Sequence, residues 1–385
     1  MTSMDDLQRS LRPLPGLEGG PFGASSTRVL PLAGLHIELG CHPAPAHGYT
    51  MPLWYAGALD EQVATREGAG LFDRSHLARF AVTGERAAHV LASLLATDAT
   101  RIPVGEVRRA VACHEDGSII DVPTLWHLDE GRWLVTTTPE AGDHLASHLE
   151  EAAAGEDVVL TDRESMTALL SLQGPRAHDI AAEVFGPALI DSVGRDRCRE
   201  LLLGVHRAAL ARTSSVGEDG YLLLLNPDDG AGIWRGLVDA GATSTGLAAH
   251  DALRLEAAVI EAPAETPSPA TPFAAGLEAL VDLDGVDGPR AFPGAEALRH
   301  APPPERRLTG LRLDGPRLAH RGSRVTLDGA DAGACVAAGF SPTLGAGIAL
   351  AYLPVSLDAS SALEVDTDGV PQRATVTALP FVAPR

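Results

Sequence analysis

Carboxylates and imidazoles, more than thiols, are the groups in this chain whose settings could support chemistry. Asp121 closes the segment Ser118-Ile119-Ile120-Asp121, which follows the turn Glu115-Asp116-Gly117. A carboxylate fixed there in a dry pocket can move a proton or stabilise a cationic centre. The same residue type also simply ends strands and caps turns. Glu218 and Asp219 lie in Gly217-Glu218-Asp219-Gly220, which has the chemistry of a tight hairpin turn. Arg254 and Glu256 stand two apart on an expected helix and so do not share a face. They suit structural roles, such as an ion pair between domains. His250, on the same helix, is either an acid or base that switches near neutral pH or a space-filling residue. His76 reads as a structural hydrogen-bonding residue at a domain junction. His144 and His148, four apart on another expected helix, have no Cys or carboxylate constellation beside them and read as a solvated face.

Several chemistries are excluded by spacing. The 14 histidines include no H-E-x-x-H pattern, and the chain has no P-loop, Rossmann fingerprint or G-x-S-x-G elbow. The 4 cysteines, Cys41, Cys113, Cys198 and Cys335, form no C-x-x-C pair. No metal site and no disulfide is therefore expected. A formal charge of -21 repels phosphate backbones, so nucleic acid is an unsuitable partner and a small cationic or neutral molecule a suitable one. Residues 1–27, rich in Pro and Gly near the start, read as a flexible arm without the pattern of a signal peptide. No stretch has the length and apolarity of a membrane span, and a cytoplasmic location is expected.

The elements that must position these groups follow from periodicity. Residues 56–70 read as a helix that leads into a short apolar turn, Gly70-Leu71-Phe72. Arg79–Thr83 alternates like a strand, and 86–96 has a helical apolar face. Arg108–Cys113 and Ser118–Trp126 flank a turn as a hairpin. Trp133–Thr138 is a further strand, and Pro139 opens a helix. This order implies an α+β unit with an antiparallel sheet. A second such unit runs through strands at Leu169–Leu172, 199–213 and Tyr221–Leu225, with helices after Gly174-Pro175, over 228–240 and over Ala248–Val259. Residues 261–272, rich in Pro, Ala and Thr, read as a connection. From Arg306 onward, six short alternating segments separated by Gly and Pro predict a small β-barrel or sandwich.

These strings, in this order, resemble the T-protein of the glycine cleavage system and its folate-binding one-carbon transferase relatives. The resemblance is carried by Met51-Pro52-Leu53-Trp54-Tyr55, Gly70-Leu71-Phe72-Asp73-Arg74-Ser75-His76 and the hairpin ending in Asp121. It continues through Leu172-Gln173-Gly174-Pro175, Gly217-Glu218-Asp219-Gly220-Tyr221 and Asp251-Ala252-Leu253-Arg254-Leu255-Glu256, and closes on Phe340–Gly345 and Ile348–Tyr352. It implies an α+β, three-domain, ring-shaped fold: two interleaved α+β units over residues 28–300, with antiparallel sheets, and a C-terminal β-barrel over 306–385. It also implies one-carbon transfer to or from tetrahydrofolate, with Asp121 as the catalytic carboxylate beside the folate's reactive nitrogens. A small-molecule substrate is implied, and a carrier-protein partner is compatible with it.

The same alignment shows departures from the family's pattern. Ser215 stands where a ring-stacking Tyr is usual, and Leu222 where a carboxylate meets the pterin edge. His250 replaces an Arg that helps hold folate. Arg109 aligns with a Tyr, Thr137-Thr138 with Asn-Ala, Leu77 with Met, and Val122-Pro123 follows Asp121 in place of a second Asp. An unpaired buried donor costs ~1–3 kcal/mol, so these changes weaken pterin recognition unless other residues compensate. Arg109 and Glu140 are the candidates. The expected pocket is thus Leu77, Arg109, Thr137, Glu140, Ser215, Glu218, Leu222 and His250 around Asp121. Three readings follow: a folate-dependent transferase or demethylase with altered recognition; a folate-independent enzyme using Asp121 as general acid or base for elimination, cyclisation or isomerisation; and a non-catalytic partner protein. With no cysteine pair at redox spacing, all four thiols should react with a thiol reagent in denaturant without reductant. A shortfall of two thiols would reveal a disulfide.

Overall fold

The computed structural model describes residues 28–383 apart from Ser165, Ser268, Asp287, Pro316 and 358–360. The arm expected over residues 1–27 lies outside the described residues. A three-stranded sheet formed by Arg28–Val29, His42–Ala46 and Tyr49–Trp54 precedes helix α1, Ala58–Glu67. The start of α1 is satisfied by its own Glu61, whose Oε1 accepts from the backbone N–H groups of Tyr55 at 2.6 Å and Ala56 at 2.9 Å. These donors precede the helix, so the buried carboxylate fixes the entering chain as well.

Next come β1 (Gly70–Asp73), β2 (Ala78–Thr83), α2 (Ala87–Leu94), β3 (Val107–Arg109), and the short pair β4 (Ala112–Cys113) and β5 (Ile119–Asp121). Then follow β6 (Thr124–Asp129), β7 (Arg132–Thr137), α3 (Pro139–Ala153) and β8 (Val159–Asp162). Strands β8, β2, β7, β6 and β3 form one five-stranded sheet in that order, antiparallel throughout. Helices α2 and α3 cover it, with Leu91, Leu95, Trp133 and Leu149 in the shared core.

The second unit uses β9 (Ala168–Gln173), α4 (Ala177–Phe185), β10 (Arg197–Leu203), β11 (His206–Arg212), β12 (Gly220–Leu225), α5 (Pro227–Asp239), β13 (Thr243–Ser244) and α6 (Leu247–Glu256). Its six-stranded sheet has the order β10-β11-β12-β9-β1-β13. Gly70-Leu71-Phe72 is therefore a strand and not the apolar turn expected from sequence. All four residues of β1 are buried, pairing antiparallel with β9 and parallel with β13. A strand buried on both faces loses the alternation that identifies strands, so a short one reads as an apolar turn. The helix expected to reach Val259 ends at Glu256.

The last unit comprises β14 (Arg306–Leu313), β15 (Arg324–Leu327), β16 (Ala330–Ser341), β17 (Ala346–Pro354), β18 (Leu363–Asp366) and β19 (Pro371–Thr377). These six close into a barrel in the order β14-β17-β16-β15-β18-β19. Alternate residues, among them Leu311, Leu313, Ala349, Ala351, Val325 and Val365, fill its interior.

The units meet at a buried ionic cluster. Arg66, on the last turn of α1, donates from Nη1 to Glu218 Oε1 at 2.7 Å and from Nη2 to Glu256 Oε2 at 2.8 Å. Glu256 also accepts from the Ser341 hydroxyl on barrel strand β16. Glu218 is held in its turn by Gly217, whose φ is +81° and whose added Cβ would lie 2.5 Å from the Ala257 Cβ. A side chain there would push the turn off α6. Replacing Arg66 leaves two buried carboxylates without their cation, a class of change that costs about 3–5 kcal/mol. Arg66→Met should therefore lower the free energy of urea unfolding by that order, with the slope on urea unchanged. A loss below ~1 kcal/mol would show that the cluster does not hold the units.

Candidate active site

A cavity of about 500 Å³ opens between the two α+β sheets. One wall comes from β3, β5, β6 and β7, and the facing wall from β12 and α6. Leu222 and Leu224 of β12, packed on Val107, Trp126 and Leu134, form the apolar seam joining the sheets beside it. Of the expected pocket, Leu77, Arg109, Asp121, Thr137, Ser215, Leu222 and His250 all line this space. Glu218 and Glu140 do not. Glu218 is the buried partner of Arg66. Glu140 is exposed on the first turn of α3 and bonds His47 Nδ1 at 2.7 Å. Both are carboxylates in suggestive strings, but a turn or a helix start sets which way its side chain leaves the backbone.

Asp121 is 1% exposed. Its Oδ1 accepts from the Thr138 hydroxyl at 3.3 Å, while its Oδ2 is buried without a partner. Burial pushes the carboxyl up to about 7, against the pull of the Val122 and Thr138 backbone N–H groups. Asp121 is thus poised between acid and base at neutral pH. Beside it, the Thr137 hydroxyl is also buried and unpartnered.

His250 is fixed in one state. Arg74 Nη1 lies 3.1 Å from its Nδ1, and a guanidinium can only donate, so Nδ1 accepts and Nε2 carries the proton. Asp251 Oδ1, at 3.9 Å, is beyond hydrogen-bond reach. Burial, reinforced by Arg74, lowers the imidazole to about 4. Of the two sequence readings, both the Arg74 contact and the lowered pKa favour the space-filling one over a switch near neutral pH. His250 is a neutral residue whose Nε2–H is buried without a partner. His76 is buried too and stacks on His47 with ring centroids 5.2 Å apart, its Nδ1 unpartnered. The hydrogen bond expected of it is not made through that atom.

Two groups that sequence reasoning left unassigned organise the floor. Arg74 Nη2 meets Glu261 Oε1 at 2.9 Å. Arg254 meets Glu261 Oε2 at 3.4 Å and Asp251 Oδ1 at 3.1 Å, and also pairs with Glu265. Burial alone would raise the Glu261 carboxyl, but Arg254 and Arg74 hold it well below the usual range. The available signal was the pair of carboxylates, Glu261 and Glu265, inside an otherwise uncharged Pro- and Ala-rich connection. Arg109, set in the β3 wall, donates from Nη2 to the Ile260 carbonyl at 2.7 Å. Among the described residues, no group of three or more His, Cys, Asp or Glu is arranged to hold a metal ion. Among the described residues, too, no helix is long and apolar enough to cross a membrane.

Two interleaved α+β units sharing a cavity around a buried carboxylate, followed by a closed six-stranded barrel, define a three-domain transferase architecture. The chain belongs to the glycine cleavage T-protein family: residues 32–285 match the GCVT N-terminal domain, and residues 306–383 the glycine cleavage T-protein C-terminal barrel domain. It is 35% identical over 359 residues to an aminomethyltransferase of Herpetosiphon aurantiacus, covering 92% of this chain and 98% of that protein. It is 36% identical over 366 residues to an aminomethyltransferase of Saccharopolyspora erythraea, covering 93% and 98%. The crystal structure of the glycine cleavage system aminomethyltransferase T from Bartonella henselae superposes with a TM-score of 0.85 at 28% identity, covering 94% of this chain and 99% of that one.

The raised carboxyl of Asp121 has a measurable consequence for stability. Its ordinary value is 3.8 and its folded value about 7. Between these, the folded chain binds a proton that the unfolded chain has released. Its stabilising contribution is therefore full below about pH 4 and lost as pH rises through 7. Asp121→Asn cannot ionise. Unfolding titrations across this range should show the variant gaining on the wild type by on the order of 4 kcal/mol toward pH 8. A pH-independent difference would mean that the carboxyl is not raised.

Proposed function

We propose that this chain transfers a one-carbon group, as methyl or aminomethyl, between a small amine and tetrahydrofolate in the cavity around Asp121. The observation that carries the reading is that Asp121, whose buried Oδ2 has no partner, lines a cavity of ligand size. The cavity, at about 500 Å³, is of a size to take tetrahydrofolate, and its unpartnered polar groups suit part of a pterin. Asp121, Thr137 and His250 line the cavity, and each has a buried polar atom without a partner: an acceptor, a dual group and a donor that suit a polar heterocycle. When bound, the folate supplies the nucleophilic amine that gives or takes the carbon unit. Asp121 orients that amine, exchanges its proton, and in ionised form stabilises the cationic character that transfer develops. Burial of Asp121 between the two sheets strengthens that stabilisation. Residues 28–300 would carry this chemistry, with the barrel of 306–385 as support. A carrier protein that presents the amine is compatible with the same site.

A second reading rests on one specific observation. Leu222, 9% exposed in the cavity wall, offers no acceptor where the alignment expects a carboxylate. That contact would be lost for a pterin. A folate-independent enzyme would instead use Asp121 as general acid or base on another substrate.

One experiment separates these. Formaldehyde-equivalent transfer or amine consumption is measured for wild type and Asp121→Asn, with and without tetrahydrofolate. The variant should fall at least ~100-fold, the low end for acid-base catalysis. Near-normal turnover would leave Asp121 a structural residue. Undiminished wild-type turnover in folate-free buffer would select the second reading.

A further inference from the structure

The charged groups lining the cavity are mostly matched. Arg74 meets Glu261 at 2.9 Å, and Arg108 pairs with Glu106. Asp196 stands at the exposed rim, open to water. Two inner groups of opposite sign remain without counter-ions. One is Asp121, and the other is Arg109, which has no carboxylate oxygen within 4.0 Å among the described residues. They therefore do not neutralise one another, although both line the same space.

A guanidinium cannot escape this by losing its proton. Its hydrogen bond to the Ile260 carbonyl uses one of five N–H donors and supplies no countercharge. Burial weakens the guanidinium's hold on its proton, while Glu261 and Asp121 act at longer range in the opposite sense. A carboxylate matches the remaining fork in charge and shape and can take two parallel hydrogen bonds. The cavity thus presents one unmatched cation and one unmatched carboxyl to whatever fills it.

We propose that Arg109 is a specificity-determining residue that receives a carboxylate of the ligand while Asp121 faces its amine, so that the cavity selects amines bearing a carboxylate over amines without one. The amine end rests on the function proposed above; the carboxylate end rests on Arg109 alone. The preference for a zwitterion or an anionic amine arises from the permanent charge of Arg109 on β3 and the carboxyl of Asp121 on β5, two parts of one wall.

Calorimetric titration of the full chain tests this with matched probes. Tetrahydrofolate carries a carboxylate tail; tetrahydropterin keeps the ring amine and lacks the tail. Arg109→Gln should weaken tetrahydrofolate by about 10-fold to 100-fold, the range for one charge-assisted contact, and leave tetrahydropterin unchanged. Arg109→Lys should restore part of the loss. Equal losses for both probes would mean that Arg109 only shapes the cavity, and an unchanged affinity for tetrahydrofolate would mean that no carboxylate reaches it. Either result overturns the proposal. If the wild type binds neither probe, the folate reading fails, and N,N-dimethylglycine against dimethylethylamine carries the test. The wild type should then favour the carboxylate-bearing amine by at least ~10-fold, and Arg109→Gln should abolish the preference. No preference, or no binding of either amine, overturns the proposal.

Discussion

Arg66 and its two carboxylates join three separate segments in one buried cluster. The guanidinium on α1 reaches the Gly217 turn through Glu218 and the end of α6 through Glu256. Glu256 passes the connection on to Ser341 in the barrel, and its backbone carbonyl accepts from Val382 N–H at 3.0 Å. Charges this deep are costly to bury, and removing one member strands the others. The relative placement of α6, the turn before β12 and the barrel is thereby tied in part to one side chain, alongside the apolar contacts of Val216 with Leu253 and of Leu255 with the barrel. Because α6 carries His250 and β12 carries Leu222, the cavity's shape depends on that placement as well.

A second network continues the pattern toward the cavity. Glu261 lies between Arg74 and Arg254, and Arg254 also holds Asp251 and Glu265. Together with burial, this network keeps His250 neutral: Arg74 occupies its Nδ1 and repels a second proton. It also explains part of the state of Asp121, since the charge on Glu261 adds to burial in raising its carboxyl. The floor is rigid and paired, whereas the reacting carboxyl in the wall is left free to change its charge. Preorganised sites have this division between fixed and titrating groups.

Much of this was legible in the sequence because it was local. The hairpin leading to Asp121, the barrel's alternating segments and the helix start at Pro139 each follow from neighbouring residue types. The family strings imply Asp121, Leu222, Ser215 and His250 around one space, and all four line the cavity. What was not legible depended on long-range packing. Gly70–Asp73 is buried on both faces, so its periodicity is silent about its role as a strand. Glu218 sits in a turn whose sequence suits a surface hairpin, yet a cation 152 positions away draws it inward. The protonation of His250 was fixed by Arg74, 176 positions distant, which no reading of the helix alone could supply.

The place of β1 has a consequence for how the chain comes to be folded. Leu71 pairs with Leu172, and Gly70 with Thr243. A strand made early thus waits for partners roughly a hundred and more residues later, and the intervening five-stranded sheet must form while that strand is unpaired. Such pairings have a high loop-closure cost and are slow to form. During synthesis, this segment, with Leu71 and Phe72 at its centre, would lack its partners until the second unit emerges from the ribosome. The two α+β units therefore cannot be separated by cutting the chain at a single point. A fragment beginning after residue 73 would lack an interior strand of its own sheet, leaving β9 as an open edge available to other chains.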